Sequence, residues 1–241
     1  EGFEAYFQPL IQAKDQKIYG AEALMRYHSS QFGDVSPTEF IPILEETNMI
    51  IPAGRWILDR AAAACRDFQT LIPDFKISIN LSYVQVLKSY VGSDVIRTVQ
   101  KYGISPDSLT IELTESGLLE TDSHLKKMWT YLKKEGISLA LDDFGTGYSN
   151  FAYLATLRPD TIKIDREFTC RVLHNSYEYQ LLALCSSMAH YLRLSICIEG
   201  VETAEELSAV RKLSPDYIQG YFFGRPCDYD TFFNTYIKAA V

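Results

Sequence analysis

The chain has no apolar run that approaches the length of a membrane span, and no signal-peptide pattern at its start. It has no Cys-x-x-Cys pair. Its five cysteines (Cys65, Cys170, Cys185, Cys197 and Cys227) are odd in number and scattered. That excludes a disulfide framework and a thiolate zinc site, and a reducing, cytoplasmic setting is expected. Basic charge is in deficit: 23 Lys and Arg stand against 31 Asp and Glu, for a net charge of −8. The electrostatic footprint of a DNA- or RNA-binding surface is therefore missing. The four histidines, His28, His124, His174 and His190, show no ligand spacing. No linker, low-complexity stretch or charge block divides the 241 residues, so one domain over 1–241 is expected, a length suited to a single α/β barrel. The chain begins with Glu1 rather than methionine, and a piece of a longer protein is expected.

What the chain does have is a repeated kind of strand. Six short apolar stretches alternate Ile or Leu with small or polar residues: 77–82, 110–114, 138–143, 161–165, 195–199 and 217–221. Alternate residues of a strand face opposite sides. The apolar residues cover one side, and Asn80, Glu112, Asp142, Lys163, Glu199 and Gln219 line the other. In a further strand, Glu22, Leu24 and Arg26 share a face.

Strands starting near Ala5, Tyr19, Lys76, Leu109, Ser138, Thr161, Ser195 and Tyr217 alternate with helical patterns, which points to an α/β fold of the (β/α)8 type with its site at the strand C-terminal ends. Helix starts are marked by the capping boxes Ser36-Pro37-Thr38-Glu39 and Thr203-Ala204-Glu205-Glu206. Asp122 or Ser123 is expected to cap a helix that stops at Gly136. Two helical patterns, near 37–47 and 53–70, lie between the second and third strands. One connection is exceptional. Residues 12–17 are too few for a crossover, so the first strand should turn back antiparallel to the second.

One pocket would then hold Glu22, Asn80, Glu112, Asp142, Asp143 and Glu199, together with Lys163, Arg26 and Gln219. So many carboxylates need cations to stay ionised. An oxygen-rich set with one amide suits Mg²⁺ or Mn²⁺. Two ions roughly 3.5–4 Å apart would activate water and clamp a phosphoryl displacement. Ca²⁺, larger and looser in geometry, should inhibit.

These residues also resemble a family over essentially the whole chain: the EAL-domain phosphodiesterases of bacterial cyclic-di-GMP signalling. Glu22-Ala23-Leu24 alone would mean nothing. It is joined in order by Phe7-Gln8-Pro9, Ala23-Leu24-Met25-Arg26, Ser36-Pro37-Thr38-Glu39-Phe40-Ile41-Pro42, Asn80-Leu81-Ser82 and Glu112-Leu113-Thr114-Glu115. Asp142-Asp143-Phe144-Gly145-Thr146-Gly147-Tyr148-Ser149, Lys163-Ile164-Asp165, Glu199-Gly200-Val201-Glu202 and Gln219-Gly220-Tyr221 follow. Tyr27, Asn150-Phe151 and Ile198 depart from the usual pattern without removing a polar site residue.

The resemblance implies a modified TIM-like barrel with an antiparallel first strand, and hydrolysis of cyclic di-GMP to linear pGpG by in-line attack of a water activated by two metals. It implies that Glu22, Asn80, Glu112 and Asp142 hold one ion. Asp142 would bridge to a second, held also by Asp143, with Glu199 acting directly or through water. Lys163 would position the attacking water and Gln219 a further water. Gln8, Leu24, Arg26 and Asp165 would contact substrate. Glu115 would anchor the loop from Phe144 to Tyr148, which the family uses to couple dimerisation to metal binding, so a homodimer is expected. An upstream sensor or regulatory domain, and a membrane anchor in the full-length protein, are compatible with this. Two other functions compete: a receptor that binds the dinucleotide without turnover, and a metalloenzyme for another phosphoester. Asp143-Phe144-Gly145 also occurs in protein kinases, but their His-Arg-Asp loop is missing.

Overall fold

A computed structural model describes residues 2–114, 123–145, 151–173 and 176–240. Nine strands run through these residues: β1 Phe3–Gln12, β2 Ile18–Ser29, β3 Gly33–Val35, β4 Lys76–Asn80, β5 Leu109–Thr114, β6 Ser138–Phe144, β7 Thr161–Ile164, β8 Ser195–Ile198 and β9 Tyr217–Ile218. The sheet order is β1-β9-β8-β7-β6-β5-β4-β2-β3, and pairing of β1 with β2 closes it on itself. Eight strands form the barrel. β3 lies outside it, paired with the far end of β2 from Tyr27↔Val35 to Ser29↔Gly33. Three residues are too few to display an alternation, so β3 is a strand beyond the eight expected.

β1 runs antiparallel to both of its neighbours, β2 and β9, whereas β2 and β4 to β9 are mutually parallel. The short polar turn after Gln12 allows nothing else. The hairpin is irregular at its closed end. Leu10 pairs with Gly20 but Ile11 pairs with Ile18, so Tyr19 is the extra residue of a bulge.

Both expected capping boxes form. Ser36 and Glu39 close the start of the helix Pro37–Glu46, and Thr203 and Glu206 that of Ala204–Arg211. The next helix after Glu46 is Ile50–Phe68, which starts three residues earlier and ends two earlier than its pattern indicated. The helix Ser123–Lys134 stops before Gly136, whose φ is +86°. Its proposed cap Asp122 lies outside the described residues.

The outward residues of the barrel strands pack under these helices. Ile77, Ile79, Ile111, Leu113, Leu139, Leu141, Ile162, Ile164, Ile196 and Ile198 are all buried in one core. Phe7, Phe68, Phe75, Tyr229 and Phe232 extend it as an aromatic cluster with centroids 5.2 to 6.3 Å apart. No described helix is long and apolar enough to cross a membrane.

Candidate active site

The inward faces of the parallel strands carry their polar residues to one level, near the strand C-terminal ends. Lys163 on β7 is the hub. Its Nζ lies 2.6 Å from Glu112 Oε2, 2.7 Å from Glu199 Oε1, 3.4 Å from Glu22 Oε2 and 3.5 Å from Asp142 Oδ1. Glu22 is held from further sides: Asn80 Nδ2 donates to Oε1 at 2.6 Å, and Gln219 Nε2 to Oε2 at 2.7 Å. Gln219 Nε2 also donates to Gln8 Oε1 at 3.1 Å. The position of Gln219 depends on Gly220. A Cβ there would stand 2.1 Å from the carbonyl oxygen of Val201, so only glycine lets the chain after β9 pass this close to the loop after β8.

Burial disfavours every ionised carboxylate here, and neighbours decide the outcome. Glu22 is pushed up by burial, but Lys163 and the amides of Gln219 and Asn80 outweigh that and hold it below its usual range. Glu112 is pushed up to about 8 by burial, with Glu22 and Asp142 adding to the effect against Lys163. Asp142 and Glu199 are raised by burial and by the other acids. Asp143 rises to about 6 through burial and the charges of Asp142 and Asp165. Lys163 is the converse: burial pulls it down, but Asp142, Glu112, Glu199 and Glu22 hold it well above its ordinary value.

Asp142 and Asp143 are consecutive, yet both lie within the electrostatic reach of Lys163 and Glu22. The register between β6 and β7 slips between Leu141 and Phe144, and Asp143 takes a left-handed backbone with φ +55°. This breaks the strict alternation that would send one of the pair to the far face. The Asp143 N–H donates to Asp142 Oδ1 at 3.0 Å.

The donor set fits hard divalent cations. Four carboxylates share one ammonium, and the available ligand atoms are oxygens. Two buried oxygens, Glu199 Oε1 and Gln219 Oε1, accept no well-formed hydrogen bond, although Glu199 Oε1 is ion-paired with Lys163 at 2.7 Å. Among the described residues no three carboxylate, imidazole or thiol groups are already closed round one point. The acids are drawn instead to the Lys163 ammonium, the one cation at their centre.

Beside this cluster lies a cavity of about 490 Å³. Leu24, Arg26 and Asn80 line it, with Ile41, Ile50, Gly54, Tyr83 and Gln85. Arg26 is half-buried there; its Nη1 donates to the carbonyl of Met25 at 2.9 Å, and burial lowers its pKa. The rear wall is one that strand alternation does not reveal. Glu45 sits on a helix and accepts from Ser82 Oγ at 2.6 Å. The readable signal was Ser82-Tyr83-Val84-Gln85, a capping box directly after β4.

The remaining expected residues fall in three places. Gln8 joins the cluster through Gln219 and donates to the carbonyl of Gly224 at 3.3 Å. Asp165 caps the short helix Arg166–Thr169, accepting from the N–H of Glu167 at 2.8 Å. Glu115, and Thr146 to Tyr148 of the loop after β6, lie outside the described residues. Glu202 pairs with Arg166 at 2.7 Å on the rim.

Comparison with known proteins places this geometry. A family model described as "EAL domain" matches residues 1–226. The oxygen sensor protein DosP of Escherichia coli K12 is 37% identical over 223 residues, which are 91% of this chain and 28% of that protein. MucR of Pseudomonas aeruginosa, named a bifunctional diguanylate cyclase/cyclic di-GMP phosphodiesterase, is 31% identical over 225 residues, 92% of this chain and 32% of its own length. The chain thus spans roughly three tenths of these curated relatives. Among solved structures, the EAL enzyme Bd1971 with cAMP and cyclic di-GMP bound superposes with a TM-score of 0.92 at 30% identity, covering 97% of this chain and 64% of that one. The cyclic-di-GMP complex of the PaMucR phosphodiesterase gives 0.90 at 30% identity, covering 96% and 94%.

Proposed function

The chain belongs to the EAL domain family, and from that premise we propose that it hydrolyses cyclic di-GMP to linear pGpG with the help of divalent cations. The observation that carries the reading is the buried cluster of Glu22, Glu112, Asp142 and Glu199 around Lys163, beside a cavity lined by Asn80 and Arg26. Glu22, Asn80, Glu112 and Asp142 would hold one Mg²⁺ or Mn²⁺, and Asp142, Asp143 and Glu199 a second. When bound, such ions neutralise the excess carboxylate charge and lower the pKa of water to about 7.

The chain's own residues do the rest. Lys163, fixed by four carboxylates, presents a positive charge that favours hydroxide over water at the centre of the cluster. Arg26 is suited to a phosphate oxygen, because its guanidinium offers a fork of donors. Leu24 and the apolar walls of the cavity exclude water from the nucleotide. Gln219 keeps one oxygen without a partner and is placed to accept from a water. In the reaction, the water oxygen forms a new P–O bond in line with the ester bond that breaks. The ribose oxygen leaves with a proton, and one phosphodiester becomes a phosphomonoester. The test is incubation with cyclic di-GMP and Mn²⁺ or Mg²⁺, with identification of the product. Formation of pGpG, abolished in Glu22→Ala, is expected. Tight binding without turnover in either ion would instead identify a receptor. Ca²⁺ in place of Mg²⁺ should occupy the acids and stop turnover.

The same reading includes a homodimer. The helix Ser176–Tyr191 exposes Leu184 (66%) and Tyr191 (89%), with Leu192 just beyond, on its outer side. Leu184 and Tyr191 lie two turns apart on one face, with exposed Ser187 between them, and would be the apolar contacts of such a pairing.

A further inference from the structure

The lower half of the barrel departs from the usual filling of this architecture. Barrel interiors are packed with layers of bulky branched side chains. Here the residues below the acids are Ser78, Thr110, Ser138, Thr161 and Ser195, with Ala140 and Cys197 among them. Ser78, Thr110, Ala140, Thr161 and Cys197 sit two residues before Asn80, Glu112, Asp142, Lys163 and Glu199, and Ser138 and Ser195 two further down, so all share the inward face. They leave a cavity of about 140 Å³ along the barrel axis. Its roof is the pair Glu112 and Lys163. Its floor includes Tyr19 and Tyr217, whose rings stack at 4.2 Å at the N-terminal face of the barrel.

The five hydroxyls have no hydrogen-bond partner among the described residues, and none of their oxygens is sealed away from water. A polar cavity with unpartnered hydroxyls is a place for ordered water, whereas cavities that stay empty are apolar. A single water needs about 10–15 Å³ of such space, so there is room for several.

We propose that this cavity holds a column of ordered water running from the N-terminal face to the underside of Lys163 and Glu112, and that it serves as a rear solvent port to the site. A ligand seated at the C-terminal mouth would cover the cluster from above. The column leaves a second route by which water and protons are exchanged with bulk solvent.

Three measurements test this. In a crystal structure, ordered waters should bridge the hydroxyls of Thr110, Ser138, Thr161 and Ser195, and xenon under pressure should not enter; an empty or xenon-filled axis would overturn the proposal. Thr110→Val and Thr161→Val keep volume while removing the hydroxyl. If the hydroxyls bind water, Tm should fall by about 2–4 °C for each; if the cavity is dry, removing an unsatisfied group should raise it, and the proposal fails. Neither readout depends on the phosphodiesterase reading. The port itself is tested by Ser138→Val with Ser195→Val, which narrows the column without touching the substrate cavity. A loss in kcat at unchanged KM is expected, and an unchanged kcat would remove the port.

Discussion

Lys163 is surrounded by more negative charge than one ammonium can balance, and the imbalance falls unevenly on its partners. Glu22, with two amides as well as the lysine, stays below the ordinary carboxylate range. Glu112 has a shorter contact to the lysine but is held up at about 8, against an ordinary 4.5. Between those two values the unfolded chain has released the proton and the folded chain retains it. Each rise in pH therefore favours unfolding. Asp143, held at about 6, adds to the same trend in its lower part. Glu22 has the opposite sign, but its contribution is lost only below 4.5. The cation-free protein should accordingly lose thermal stability as pH rises from about 5 to 8. Saturating Mg²⁺ should flatten the dependence, since cations favour the ionised acids. Calorimetry in chelator and in Mg²⁺ across that range checks this; a Tm that rises with pH without cation would contradict it.

At the scale of elements, regular alternation explains what could be read from the chain and its interruptions explain what could not. Asn80, Glu112, Lys163, Glu199 and Gln219 were legible because each continues the inward alternation of an uninterrupted apolar stretch, Glu199 and Gln219 standing just past the ends of β8 and β9. Asp143 was read into the same pocket, although strict alternation would send it to the far face. Its neighbour Asp142 already takes the inward position, and the slip between Leu141 and Phe144 that admits both is set by pairing with β7. The bulge at Tyr19 and the three-residue β3 leave no periodic trace either. Glu45 lay hidden because a helix on the outside of the barrel delivers it to the cavity wall. The β6 bulge gives a direct test. Asn tolerates a left-handed backbone, whereas β-branched residues do so rarely. Both variants remove the Asp143 charge, so their difference reports the backbone alone: Asp143→Val should be less stable than Asp143→Asn by about 1–3 kcal/mol. Equal melting temperatures for the two variants would mean that φ +55° is not enforced by the barrel.

For the whole molecule, the hairpin connection decided the topology. A turn of a few polar residues after Gln12 forced β1 to descend while the other barrel strands climb, and closure by β1 against β2 and β9 followed. The described strands and helices share one core, so a second copy would have to dock on the outer surface. If the helix Ser176–Tyr191 pairs two copies, Leu184→Glu should convert a dimer to a monomer in sedimentation at micromolar concentration, with Tm unchanged because Leu184 is exposed. A wild-type monomer, or a variant that still dimerises, would exclude this face. The descent of β1 also fixes the wiring of any fusion. Phe3 pairs with Tyr27, beyond the Gln8–Glu22 pair at the level of the acids. A polypeptide joined ahead of β1 would thus emerge at the rim that carries the acid cluster, whereas an all-parallel barrel would send it out at the opposite pole. A module attached there could press on the mouth of the cavity directly, with no need to transmit its state through the barrel wall.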